Sequence, residues 1–243
     1  MAVIKHTKRG RKSPALDAAC GPRVVGCIIT PGYKLPPKSR GLACDVVELR
    51  LDQMPGLTDW VNRGREIESR GLPVIVTIRH QSEGGAWRDA DGDRLSLYGT
   101  ALKHLCAVDV ELKSDIAGKV AALAKRQRKC CIVSFHDFKK TPSLAKLKRV
   151  ASEAQRIGSV IKIVTMANTE ADVETLRRLL ACKWRKPICV MGMGPLGRVT
   201  RVEFPFLGSF LTYGYLDKPA APGQLSAAQI NKSLSRSRLR LRP

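Results

Sequence analysis

Val46-Val47-Glu48-Leu49-Arg50-Leu51-Asp52 sets two valines before three charges at spacing two. In an extended strand that spacing puts Glu48, Arg50 and Asp52 on one face and Leu49 and Leu51 on the other. On a solvated antiparallel edge this would be ordinary amphipathic alternation. The rest of the chain supplies short, nearly continuous apolar runs, the signature of parallel strands covered on both faces. In that company the charged face points into the mouth of a barrel, and this one segment already suggests where the chemistry lies.

Working outward, eight such runs read as strands: 23–29, 46–51, 74–79, 107–112, 131–135, 160–164, 187–191 and 210–214. Between them, helical spacing predicts helices over 58–70, 95–105, 117–128, 143–157, 170–182 and 226–235. The first connection holds Pro31, Gly32, Pro36, Pro37 and Gly41, which leaves room for little more than two helical turns. Eight strand–helix units in 243 residues fit a (β/α)8 barrel of about 250 residues, with a doubly wound open sheet as the alternative. The expected organisation is a basic tail over 1–21, one barrel domain over 22–234 and an Arg-rich tail over 235–243, both tails disordered.

No apolar run approaches the roughly 20 residues of a membrane span, and no apolar stretch follows the basic N-terminus as a secretory signal would require. A cytoplasmic protein without membrane attachment is expected. The eight cysteines form no C-x-x-C and the four histidines are scattered, so reduced, mostly buried thiols are expected and no metal site. The net charge is +22. Residues 1–12 and 232–243 carry five Lys/Arg each and no acid, which leaves 33 basic against 21 acidic residues in the body. Such a body attracts anions, and a small acid serves as well as a phosphate backbone. With three Trp, four Tyr and five Phe, stacking platforms for nucleic acid are not indicated, although the tails allow nonspecific contact with it.

The strand ends carry the candidates. Asp109-Val110-Glu111 repeats the charged alternation of the second strand more weakly, as an interior network or as substrate contacts. Thr77-Ile78-Arg79 leads into Glu83-Gly84-Gly85, a salt-bridging arginine or, given the glycines, a binding loop. Ser134-Phe135-His136-Asp137-Phe138 offers an imidazole, packed or acting as a proton shuttle. Val160-Ile161-Lys162-Ile163-Val164 sets one amine among four aliphatic residues. Its stem could snorkel to the rim. Burial beside cations such as Arg50, Arg79 and Arg201 would instead favour the neutral amine that attacks a carbonyl. The lone G-x-G at 192–194 is a weak dinucleotide signal, and none is expected.

Together these motifs resemble the type I 3-dehydroquinate dehydratases. Glu48, Arg50 and Asp52 match the family's Glu-x-Arg-x-Asp, and Thr77, Arg79, Glu83, Gly84 and Gly85 match its Thr-x-Arg followed by Glu-Gly-Gly. Ser134 through Pro142 match Ser-x-His-Asp-Phe-x-Lys-Thr-Pro, and Lys162 is the strand lysine. Met191 through Arg201 and Ala221 through Gln224 complete the set, with Thr200 where serine is usual. The resemblance implies a (β/α)8 barrel that removes water from 3-dehydroquinate, in the shikimate pathway, without cofactor or metal and commonly as a homodimer. It implies Lys162, His136 and Glu83 as catalytic, with Glu48, Arg50, Arg79, Arg201 and Gln224 binding substrate. Ala220 stands where the family often has a substrate-contacting serine, and Cys27 where some members have another. Two other readings are a different Schiff-base lyase, such as an aldolase, on the same barrel, and a barrel that mainly binds anionic surfaces through its tails.

Overall fold

The computed structural model describes residue 16 and residues 22–36, 42–221 and 223–240. Eight parallel strands form the expected barrel: β1 (Arg23–Ile28), β2 (Val46–Arg50), β3 (Val74–Thr77), β4 (Ala107–Glu111), β5 (Cys130–Asp137), β6 (Val160–Met166), β7 (Ile188–Met193) and β8 (Leu211–Tyr215). Their order around the ring follows the chain, and β1 pairs with both β2 and β8. The junction between β7 and β8 is not a ladder. Phe210 N–H donates to the Ile188 carbonyl at 2.8 Å, and Val190 N–H donates to the Ser209 hydroxyl at 3.1 Å.

The helices are α1 (Trp60–Ser69), α2 (Asp91–His104), α3 (Ala117–Arg126), α4 (Leu144–Ile157), α5 (Glu170–Leu180), the single turns α6 (Gly194–Gly197) and α7 (Thr200–Glu203), and α8 (Ala227–Arg240). Amphipathic spacing explains the long ones: α4 buries Leu147, Val150, Ala151 and Ala154 and turns its lysines and arginines outward. Helix α5 starts at a reciprocal cap, with the Thr169 hydroxyl accepting from Asp172 N–H and the Asp172 carboxylate accepting from Thr169 N–H. In the first connection no helix occurs among the described residues, in keeping with its prolines. Helix α8 carries the chain past the boundary expected at 235, because Arg and Leu propagate a helix and neither Gly nor Pro interrupts before Pro243. The expected N-terminal tail lies outside the described residues except Leu16, which packs half-buried against the apolar filling of the barrel.

The core has two compartments. One lies between strands and helices, where Val47, Val76, Val108, Val133 and Ile161 meet the helices' apolar faces. The other fills the lower barrel with Val25, Val46, Ile75, Ala107, Ile132, Val160 and Leu211. Side chains alternate along a strand, so the next inward positions, two residues on, are Cys27, Glu48, Thr77, Asp109, Ser134, Lys162 and Tyr213. An apolar floor therefore carries a polar layer directly above it. No helix in the described chain is long and apolar enough to cross a membrane.

Candidate active site

Lys162 does not snorkel. Its side chain is 5% exposed, and Nζ donates to Asp109 Oδ2 at 2.8 Å, with Glu48 Oε1 at 3.8 Å. The ammonium also lies 3.9 Å from the centre of the Tyr213 ring. The charges nearest the amine are thus carboxylates, whereas the sequence suggested arginines. Arg50 and Arg79 line the same cleft but are themselves neutralised: Arg50 makes two parallel bonds to Asp52, at 2.9 and 2.8 Å, and Arg79 reaches Asp109 at 2.7 Å and Glu111 at 3.3 Å.

Asp109 is the centre of this layer. Burial would raise its pKa, but Arg79 and Lys162 hold the carboxyl far below the ordinary carboxylate range. It accepts from Lys162, from Arg79 and from the Ser134 hydroxyl, so one ionised group joins residues from β4, β5, β6 and the end of β3. The sequence marked Asp109 only as an interior network or a substrate contact. It is both a network member and the partner of the amine, and the signal was present in the weak Asp-x-Glu alternation.

His136 lies on β5, next to Lys162's strand in the sheet, and Ser134 pairs in register with Lys162. Its Nδ1 is 3.0 Å from Glu83 Oε2, and its backbone N–H donates to the same oxygen at 2.9 Å. Burial, with Arg79 and Lys162, pushes the imidazole well below its ordinary pKa. It is neutral at pH 7, as a base must be. Glu83 sits in a short 3-10 turn (Gln81–Glu83) after β3. Its carboxyl is raised to about 7, chiefly by burial, against the pull of Arg79. The turn folds back closely: a Cβ at Gly85 would come within 1.9 Å of the Arg79 carbonyl oxygen, which explains the glycine.

Arg201, from α7, is 3% exposed and has no carboxylate within salt-bridge distance among the described residues. Its Nη1 donates to the Tyr213 carbonyl at 2.9 Å, and its Nε has no hydrogen-bond partner. Burial lowers its pKa, yet a guanidinium starts so high that it stays charged. A buried, unpaired cation of this kind awaits an anion. Gln224 closes the opposite wall. Its carbonyl oxygen accepts from Ala220 N–H at 2.7 Å, and its amide lies 3.6 Å from Cys27 Sγ.

All eight residues singled out from the sequence line one cleft, together with Cys27, Phe138, Met191, Met193, Tyr213 and Ala220. Among the described residues no group of three or more His, Cys, Asp or Glu is arranged to hold a metal ion. The seven described cysteines are free, and burial raises the Cys27 thiol well above its ordinary range, so it presents an uncharged SH to the cleft. Chemically, the cleft offers an amine, a neutral imidazole braced by a carboxyl, and an unpaired guanidinium.

Comparison with known proteins places the chain in a family. The family model described as Type I 3-dehydroquinase matches residues 37–239. A 3-dehydroquinate dehydratase of Methanosarcina barkeri is 34% identical over 233 residues, spanning 90% of this chain and 96% of its own. One of Methanocella arvoryzae is 32% identical over 197 residues, spanning 79% and 87%. The solved structure of 3-dehydroquinate dehydratase from Enterococcus faecalis superposes with a TM-score of 0.75 at 26% identity, over 93% of this chain and 96% of that one.

Proposed function

The chain belongs to the type I 3-dehydroquinase family, and from that premise we propose that Lys162 forms the Schiff base and His136 moves the protons. The reaction is a hydro-lyase step, the syn elimination of water from 3-dehydroquinate to give 3-dehydroshikimate. In it Lys162 Nζ adds to the substrate ketone, and the carbinolamine loses water to become an iminium. His136 takes the α-proton, and the C–H electron pair moves into the iminium to give an enamine. As the electrons return, the β-hydroxyl leaves with the proton that His136 gives back. Water then hydrolyses the imine and frees the amine.

One observation carries these roles: an amine and a neutral imidazole from neighbouring strands face one cleft, and the imidazole's far nitrogen is held by a carboxyl. Glu83 orients His136. Arg201 pairs with the substrate carboxylate, since its charge has no acidic partner among the described residues. Glu48, Arg50, Arg79 and Gln224 hold the ring hydroxyls, with Ala220 leaving one hydrogen bond to Gln224 or to water. We also propose a homodimer, checked by sedimentation, and nonspecific polyanion contact through the chain ends, checked by its loss when 1–12 and 232–243 are removed.

The test is to add 3-dehydroquinate, follow the conjugated enone by ultraviolet absorbance, and trap the imine with borohydride. Lys162→Ala is expected to give no adduct. His136→Ala is expected to form adduct while turnover drops by about 100-fold or more, the scale of a lost general base. An adduct on any other residue, or unimpaired turnover in His136→Ala, overturns the assignment.

A further inference from the structure

Two tyrosines are buried in the barrel region, and the fold treats their hydroxyls differently. Tyr98, fully buried on α2, donates to the Asp109 carbonyl at 2.7 Å and so acts as a structural brace. Tyr213, on β8 and 3% exposed, has a buried Oη with no hydrogen-bond partner among the described residues. Buried polar atoms without partners are few in native proteins, and each calls for an explanation. Tyr213 also lines the cleft, its ring faces the Lys162 amine at 3.9 Å, and its backbone carbonyl holds Arg201. Everything about this residue except its hydroxyl is engaged.

We propose that the Tyr213 hydroxyl is a substrate contact: it donates a hydrogen bond to the ring hydroxyl on the carbon next to the one that condenses with Lys162. The inference rests on the Schiff-base reading above. It follows from placement. A ring that lies face-on to Nζ sets its para oxygen to one side of the amine, within reach of a substituent on the carbon beside the imine carbon. Burial, reinforced by Glu48 and Asp109, keeps the phenol protonated, so Oη is available as a donor. The same side chain therefore does two things. Its face favours a cation at Nζ, the iminium as much as the ammonium, while its edge selects a substrate oxygenated at the adjacent carbon. A site built to bond a hydroxyl discriminates against the analogue that lacks it, because its own polar group is then left unpaired.

The experiment compares wild type and Tyr213→Phe on 3-dehydroquinate and on the analogue deoxygenated at that carbon. Wild type is expected to prefer the full substrate by kcat/KM, and Tyr213→Phe to lose about tenfold on it while keeping its rate on the deoxy analogue, so that the preference collapses. Borohydride trapping on Lys162 is expected to persist in the variant, and its melting temperature not to fall, because only an unpartnered oxygen has been removed. If Tyr213→Phe slows both compounds equally, or changes neither, the contact does not exist. If wild type neither converts 3-dehydroquinate nor forms an adduct on Lys162, the Schiff-base reading fails and this inference with it, a result the variant comparison cannot mimic.

Discussion

At the scale of single residues, the pair proposed to move protons is His136 and Glu83, and its behaviour with pH follows from which of them holds the proton. When Glu83 is ionised, Nδ1–H of the neutral imidazole donates to it and Nε2 is left as the base. When Glu83 is protonated, its O–H donates to Nδ1 and the ring proton moves to Nε2, which removes the base. With Glu83 at about 7, kcat/KM is expected to rise as pH increases through 7 and then level. Glu83→Gln is expected to lose that limb and to run about tenfold slower at pH 8. Pre-steady-state or initial-rate profiles from pH 5 to 9 decide it, and an unchanged limb in the variant would assign the ionisation elsewhere.

The same shift has a stability sign. The folded carboxyl binds its proton more tightly than the unfolded one, whose pKa is near 4.5, so Glu83 destabilises the free protein progressively between about 4.5 and 7. Glu83→Gln is expected to melt higher than wild type above pH 7 and to lose that advantage at pH 4.5, as calorimetry would show. Burying a carboxyl where it resists ionisation is the familiar exchange of stability for a tuned group. At this scale the sequence was informative where a charged residue interrupts an apolar strand, as at Lys162 and Glu48. It was silent on Tyr213, because an aromatic within Phe-Leu-Thr-Tyr reads as ordinary core and only the missing partner of its hydroxyl sets it apart.

Among elements, the strands are tied by charge as well as by ladders. Asp109 on β4 bonds Ser134 on β5, Lys162 on β6 and the arginine that follows β3. Removing its charge leaves Arg79 and Lys162 buried with one partner fewer. Asp109→Asn is therefore expected to lose about 3–5 kcal/mol at pH 7 in denaturant unfolding. Since the folded pKa is depressed, this stabilisation is present above the unfolded value near 4 and is lost as pH falls. The gap between wild type and variant should narrow below pH 4, and a gap independent of pH would show that the carboxylate's charge is not what ties the strands.

The elements themselves were legible because all eight strands are apolar runs bounded by polar loops, and each lies within a few residues of its expected place. The strands that the sequence cut short are instructive. β5 runs on to Asp137, with His136 facing the cleft, and β6 to Met166, with the Thr165 hydroxyl buried 2.8 Å from that of Thr141. The single turns α6 and α7 were not foreseen, being too short for a hydrophobic period and punctuated by Gly194, Pro195 and Gly197. Arg201, on α7, was singled out only through the family resemblance of Met191 through Arg201.

For the molecule as a whole, the excess of positive charge acts at a distance. A substrate carboxylate is drawn toward a chain with 43 basic and 21 acidic residues. Encounter, not chemistry, should respond to salt: kcat/KM is expected to fall several-fold between about 0.01 and 0.3 M salt while kcat holds. Stopped-flow or initial-rate measurements would check this, and a fall in kcat instead would point to a change inside the cleft. Barrel and open sheet were both compatible with the alternation of elements, because hydrophobic period records burial and not closure. Closure is a property of how β1 meets β8, a contact between the two ends of the chain that no local pattern announces.

The place where the ring is joined most lightly lies between β7 and β8, where a serine hydroxyl and one amide stand in for a ladder. A hoop fastened by a clasp yields there first, so the protons on Val190 and Phe210 nitrogens should trade with deuterated solvent sooner than those of the fully paired strands. The chain spanning the clasp also bears Arg201. A ligand anion seated on that guanidinium would fasten it, and occupancy would be readable as slowed deuterium uptake at Val190 and Phe210, beside the strand that carries Lys162.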